Sequence, residues 1–544
     1  MLAETVLYLL IIGLFSLIKT QKRYDFLLSF FMTAFVFIIF YLFLMDQKTG
    51  FEITKTFILD DSHSSNIKID IISTPQNYVM IFPFFVSTLI SMLGNLVFKY
   101  ENSKKYESSL FIFNLTAFIM LISSNNLIEL IAIVFIIDIL SQLLIKDANA
   151  GRRYSLYNFV ADMGLFLVFA MVQSKLANLD VSNISNYYET GHHRDFIVFV
   201  IMMSLSIKFS FFLFQGYWLD LKSAKFHNLY FLPYLSTPMT ALVLLTKLYP
   251  MLVVSPSFLP LLNTMVALTV VWGASGAILK YEIKEKFVYF NMLNLAFIAE
   301  LTALNDFVWT RNFSYLLILF YLFNLCFYYL HYEIDREHGK NKLSIMMVLF
   351  GFLSVICAIT TQIFALKTQK STYFIYAFLS VFLFSFAVTA AQIWRKATQK
   401  IELKRTDTTT VLMLLTSLFA FYLSSKNIEI LWPVCFVLAF VIILFYLTPL
   451  SFISLRQGRI QEIQNIDVFH LFYQKIVLEP LHHAGLLFNI IIDFIFLERT
   501  FLPIIALLNN ILIGFYRRIR RLGLRYQVIC VILVAMLVFY LFER

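Results

Sequence analysis

Charge is what this sequence has least of. Of its 544 residues, 14% are charged and 60% are hydrophobic. A soluble chain this long would split into domains covered with mixed charge, so that class is excluded. Cysteine is scarce as well. The four cysteines, Cys326, Cys357, Cys435 and Cys530, are scattered through apolar stretches, and they form neither a metal-ligand spacing nor a disulfide framework. Flavin, iron–sulfur and haem motifs are missing, so no cofactor is expected and redox chemistry would fall to other chains. The apolar stretches also lack the strict polar/apolar alternation of barrel strands.

What is present is apolar length. Runs of about twenty residues recur from end to end, enough to cross a bilayer as helix. Helices and closed barrels alone satisfy their backbone polar groups in lipid. The expected fold is all-α, a polytopic transmembrane helix bundle of about sixteen spans. They lie near 4–18, 25–45, 79–98, 109–124, 126–145, 157–174, 196–215, 229–247, 257–279, 287–304, 313–332, 343–366, 373–394, 410–424, 431–449 and 526–542. The first run does not read as a cleavable signal. No small-residue cleavage site follows it, and Lys19, Lys22 and Arg23 come at once.

The loops orient the bundle. Basic residues collect in KTQKR (19–23), KYENSKK (99–105), KDANAGRR (146–153), KSAK (222–225), KYEIKEK (280–286), DREHGKNK (335–342) and RKATQKIELKR (395–405). All seven fall on one face, which the positive-inside rule makes cytoplasmic. The opposite face has 46–78, rich in Asp and Ser, and 176–194, rich in Asn, Asp and Tyr; only Lys367 and Lys370 depart from the pattern. Both termini are expected outside. The net charge of +10 thus marks topology and contact with anionic lipid, not a nucleic-acid surface. The stretch 466–515 differs. It is too long for one span and mixes Asp467, His470, Lys475, Glu479, His482, His483, Asp493, Glu498 and Arg499 into an apolar background. It reads as a lateral amphipathic helix along a membrane or protein surface. Arg517, Arg518, Arg520 and Arg521 then hold its end on the cytoplasmic side, before the last span.

Ionisable residues inside spans cost about 2.5–3.5 kcal/mol each at mid-helix on insertion scales, so each is a functional candidate. Lys208 lies in MMSLSIKFSFFLF and Asp138 in IVFIIDILSQLLI, both mid-span. For each, the alternative is a structural partner within the bundle. Glu300, Lys247, His331 and Glu129 lie nearer span ends, where interfacial snorkelling is the competing explanation. A lysine and a carboxylate buried on neighbouring spans are what a proton path needs. Burial loosens a lysine's hold on its proton, and a nearby carboxylate tightens it again. Lys280, Glu282, Lys284, Glu285 and Lys286 form a denser group that a solvated loop would also explain.

At these residues the chain resembles the large antiporter-like subunit of respiratory complex I (NADH-quinone oxidoreductase), which is related to subunits of Mrp-type sodium/proton antiporters. NNLIELIAIVFIIDILSQLLI (125–145) is similar to the family's fifth span, with the family's glutamate falling on Phe135 and Asp138 three residues on as a displaced substitute. IKFSFFLFQGYWL (207–219) is similar to the seventh span, where Lys208 matches the key lysine and Gln215 holds its spacing. Thr237, Thr240 and Ala241 keep the tail of the eighth-span motif, whose histidine falls on Tyr234. EIKEKFVYFNMLN (282–294) aligns with the tenth-span entry without gaps. Asn324 stands where the eleventh span would carry lysine, and IFALK (363–367) puts Lys367 near the twelfth-span lysine. Asp467, Tyr473 and Pro480 resemble the start of the family's lateral helix.

The resemblance implies a division into N-terminal spans (1–124), an antiporter-like proton-translocation core (125–394), further C-terminal spans (395–465), the lateral helix (466–515) and a final anchor (516–544). It implies a proton path in which Lys208 is the central carrier and Asp138 tunes it. Lys367 would be an outward carrier, Glu282 and Lys284 would stand at the cytoplasmic entry, and Lys247 and Glu300 would be further members. It implies other membrane subunits as partners, protons or sodium as cargo, and a translocase whose NADH–quinone chemistry lies in partner chains. The lost motifs leave open a scaffold subunit without its own ion path, or the ion-coupled membrane part of a bicarbonate-accumulating module. Abundant Asn, Lys, Ile and Phe point to an AT-rich genome and a bacterial inner membrane, with the mitochondrial inner membrane as the alternative.

Overall fold

The computed structural model describes residues 2–18, 23–46, 53–58, 68–97, 107–145, 148–173, 192–212, 236–279, 283–304 and 310–335, with isolated positions at 181, 214, 216, 218 and between 355 and 382. The expected spans near 410–424, 431–449 and 526–542 and the lateral stretch 466–515 lie outside the described residues. The chain divides into two units, Met1–Leu455 and Arg456–Arg544, and all described residues belong to the first.

The architecture is helical, as the apolar runs require. Its helices are α1 (Leu2–Ile18), α2 (Arg23–Asp46), α3 (Pro75–Val97), α4 (Glu107–Ser123), α5 (Leu127–Leu144), α6 (Ala148–Gln173), α7 (His192–Phe209), α8 (Thr237–Lys247), the single turn α9 (Tyr249–Leu252), α10 (Phe258–Leu279), α11 (Ile283–Leu304) and α12 (Arg311–Asp335). Leu127–Leu144, Ala150–Gln173, Phe258–Ala277 and Asn312–Tyr329 are each long and apolar enough to cross a membrane. Between α2 and α3 the described residues include one piece of strand structure. There β1 (Ile53–Ile58) pairs antiparallel with β2 (Lys68–Ser73), Ile53 opposite Ser73 and Ile58 opposite Lys68. The β-branched residues of ITKTFI suit a strand, and the Asp- and Ser-rich part falls between the two strands.

Neighbours in sequence pack together, α1 with α2, α4 with α3 and α5, and α10 with α11, and α1 also packs on α4. The helices α5, α6, α7 and α8 form a ring, since α6 packs on α5 and α7, and α8 packs on α7 and α5. Small residues set the closest approaches. A Cβ on Gly164 of α6 would overlap Ser204 Oγ of α7, and one on Gly276 of α10 would overlap the Tyr289 ring of α11. Each glycine therefore lets two backbones approach closely, as lipid-embedded bundles require.

Backbone polar groups are satisfied even where helices break. Pro83 inside α3 has no N–H and so frees the carbonyl four residues earlier. That carbonyl, Val79 O, accepts from Ser314 Oγ of α12 at 2.7 Å. The α5 N-terminus is capped by Asn126, whose Oδ1 accepts from Ile128 N at 2.9 Å. Pro238 stands in the first turn of α8, where its missing N–H costs nothing.

Candidate functional site

The first structural surprise is where α7 stops. The apolar run predicts a span to 215, but the helix ends at Phe209. Ser210 has φ 58°, the left-handed conformation. Its N–H bonds to Ile207 O at 3.0 Å, and Phe211 N–H reaches back to Ser206 O at 3.0 Å. These two bonds are the Schellman pattern, with Ser210 in the place glycine usually takes. Phe212 N–H then donates to Thr269 Oγ1 of α10 at 2.9 Å, which ties the break to a neighbour. Hydropathy cannot see such a stop, because Phe211, Phe212 and Leu213 keep the run apolar. The consequence is functional: Lys208 sits in the last helical turn, where the carbonyl ends of the helix favour a cation.

Lys208 is fully buried, at 0% exposure, and meets two carboxylates. Its Nζ lies 2.7 Å from Asp138 Oδ2 of α5 and 2.7 Å from Asp162 Oδ1 of α6. Asp138 is 7% and Asp162 3% exposed. Three helices thus each bring one charge to a single buried point. Asp138 Oδ1 and Asp162 Oδ2 meet no donor among the described residues. The displacement of the acid from Phe135 to Asp138 also resolves here. Three residues rotate the helix by about 300°, a net offset of 60°. That offset separates them: Phe135 is 41% exposed, while Asp138 turns inward.

Asp162 is the member that sequence reading overlooks. The predicted span 157–174 puts it near a cytoplasmic end, where a carboxylate is unremarkable. The helix in fact begins at Ala148, inside the basic loop KDANAGRR, which places Asp162 at its middle. The rule that flags Asp138 and Lys208 flags Asp162 too, once the helix start is moved back.

The other candidates are dispersed. Lys247, half-buried at the end of α8, donates to Ser124 O just past α4, and Glu129 is the carboxylate whose charge acts on it. Glu129 lies about 13 Å of helix rise from Asp138. Glu300 is buried in α11, and its Oε2 meets no donor among the described residues. Lys284 is half-buried in the first turn of α11. Its neighbour Lys286 is buried and donates to Ala277 O in the last turn of α10, at 2.9 Å. Asn324 of α12 donates to Asn291 Oδ1 of α11 at 3.3 Å. Glu282 and Lys367 lie outside the described residues.

A family model, the transmembrane region of NADH:quinone oxidoreductase and Mrp antiporters, matches residues 126–367, the stretch that contains the three-charge cluster. Residues 126–367 are thus similar to this family. No curated protein matches the sequence. Among solved structures, the antiporter-type fold recurs in the Mrp complex from Dietzia sp. DQ12-45-1b, with 12% identity and a TM-score of 0.68 over 96% of this chain and 63% of that one. It recurs in respiratory complex I from Thermus thermophilus with bound NADH, with 14% identity and a TM-score of 0.64 over 81% of this chain and all of that one. At these identities the likeness is one of fold. The chain spans 63% of the length of the Mrp chain it matches.

Proposed function

We propose that this chain is an ion-translocating membrane subunit of a complex I-like or Mrp-like assembly, and that it moves protons, or exchanges them for sodium, through the Lys208 cluster. The observation that carries the reading is Lys208 Nζ held at 2.7 Å from both Asp138 and Asp162 in the interior of an antiporter-type domain. One lysine and two carboxylates sum to one excess negative charge. An uncompensated charge in a low-dielectric interior is costly, and the charge is balanced when the cluster takes up one proton. A proton then has two sites, each carboxylate 2.7 Å from Lys208 Nζ, and a small shift of α5, α6 or α7 decides which one holds it. Lys208 keeps its two partners close and releases whichever one is neutralised. Such paired groups are the elements of a proton relay.

On this reading 125–394 is the translocation core. Lys247, Glu129 and Glu300 serve the outward half, and Glu282 and Lys284 the cytoplasmic entry, with Lys367 as an outward carrier. Redox chemistry belongs to partner chains, and the membrane is a bacterial inner membrane. Proton and sodium fluxes into liposomes carrying the purified assembly test the reading. Lys208→Ala is expected to abolish the flux of the transported ion. Wild-type flux in that variant would leave the chain a scaffold.

A further inference from the structure

Resting on that reading, we propose that α6 carries the inward access to the Lys208 cluster as a polar ladder, Tyr154–Asn158–Asp162, with a water molecule held at Asn158 as its middle rung. The spacing is i, i+4, i+8, which puts all three on one helix face in steps of about 6 Å. All three are buried, Tyr154 at 0% and Asn158 at 1% exposure, in a helix whose other faces show Leu156, Phe159, Val160 and Met163 outward. The ladder starts from the end of α6 that bears the basic loop, beside Arg152 and Arg153, and ends at the carboxylate that touches Lys208.

Each rung has the chemistry the step needs. Tyr154 Oη lies 3.0 Å from Thr237 Oγ1 of α8. Ser141 of α5 and Ser236, the residue that precedes α8, lie nearby, and Tyr154 feels the charge of Asp138. Three hydroxyls from two segments, α5 and the start of α8, therefore lie near the tyrosine oxygen, and a hydroxyl can accept one proton while giving another. Asn158 donates through Nδ2 to Tyr154 O at 2.9 Å. Its Oδ1 is buried and meets no donor among the described residues. A buried amide oxygen is ordinarily satisfied, and a water is the donor that also has a second proton to pass on. A metal cation at the same oxygen would offer no proton.

The transfer is balanced without any co-reactant. A proton arriving on Tyr154 Oη displaces the hydroxyl's own proton to the water. The water passes one of its protons to an Asp162 oxygen, which forms a neutral carboxyl beside Lys208. The net change is one proton gained by Asp162, and the hydroxyls return to their starting state by rotation.

The test is proton flux in liposomes carrying the assembly purified through this chain, comparing wild type with Tyr154→Phe, Asn158→Leu, Asn158→Ser and Lys208→Ala. Tyr154→Phe keeps the ring and removes one oxygen; Asn158→Leu keeps the volume and removes the water's acceptor. Each is expected to slow flux about a hundredfold, the low end for a positioned proton-transfer group, in an assembly that still purifies intact. Asn158→Ser, which still holds a water, is expected to retain flux. If Tyr154→Phe transports like wild type while Lys208→Ala does not, the ladder is wrong and the Lys208 reading stands. If Lys208→Ala also transports like wild type, the reading beneath it fails. Should Asn158→Leu not assemble, Tyr154→Phe decides alone.

Discussion

At the scale of single residues, the cluster is asymmetric in a way substitution can probe. Asp162→Asn removes the excess negative charge and keeps the shape, leaving one ordinary lysine–aspartate pair. The expectation is a protein at least as stable as wild type, because a buried charge has gone, but with proton flux lost, read by thermal midpoint and by liposome flux together. Ser210 offers a second probe. A non-glycine residue in the left-handed region costs about 1 kcal/mol. Ser210→Gly should therefore raise the thermal midpoint without touching flux. A fall in the midpoint would mean the Ser210 side chain itself holds the helix end.

At the scale of elements, two contacts decide whether α6 and α3 can sit where they do. Gly164→Val places a branched side chain where Ser204 already stands. It should force α6 from α7, separate Asp162 from Lys208 and abolish flux, whereas Gly164→Ser, being smaller, should lose less. Ser314→Ala leaves the Val79 carbonyl, freed by Pro83, without its donor. At this half-buried site an orphaned carbonyl costs at most about 1–3 kcal/mol, visible as a lower thermal midpoint with flux intact. Sequence foretells elements better than their ends. The apolar runs place α5, α10 and α12 within a few residues, because about twenty apolar residues have one stable form in lipid. They misplace the end of α7, because a Schellman stop is made of backbone hydrogen bonds and one φ angle, and Ser210 carries no glycine to announce it. They misplace the start of α6, because ANAGRR is polar enough to pass for a loop and yet helical. Both errors fall at the site. Lys208 and Asp138 were legible as mid-span charges; Asp162, Tyr154 and Asn158 depend on that earlier start and on which face of α6 turns inward.

At the scale of the whole molecule, a helical fold and a count of three buried charges come together. Among the described helices, α5, α6 and α7 meet at one point where a lysine faces two acids. The family match over residues 126–367 covers all three. Asn324, hydrogen-bonded to Asn291, stands where the resemblance expects the eleventh-span lysine, so no lysine continues the path at that position. The Lys208 cluster therefore carries the weight of the proposal. The most direct test is the proton flux of the purified assembly in liposomes under an imposed gradient, wild type against Lys208→Ala, with equal incorporation and intact partner chains verified in both. Flux is expected in the wild type, and none above empty liposomes in the variant. Equal flux in both would contradict the proposal.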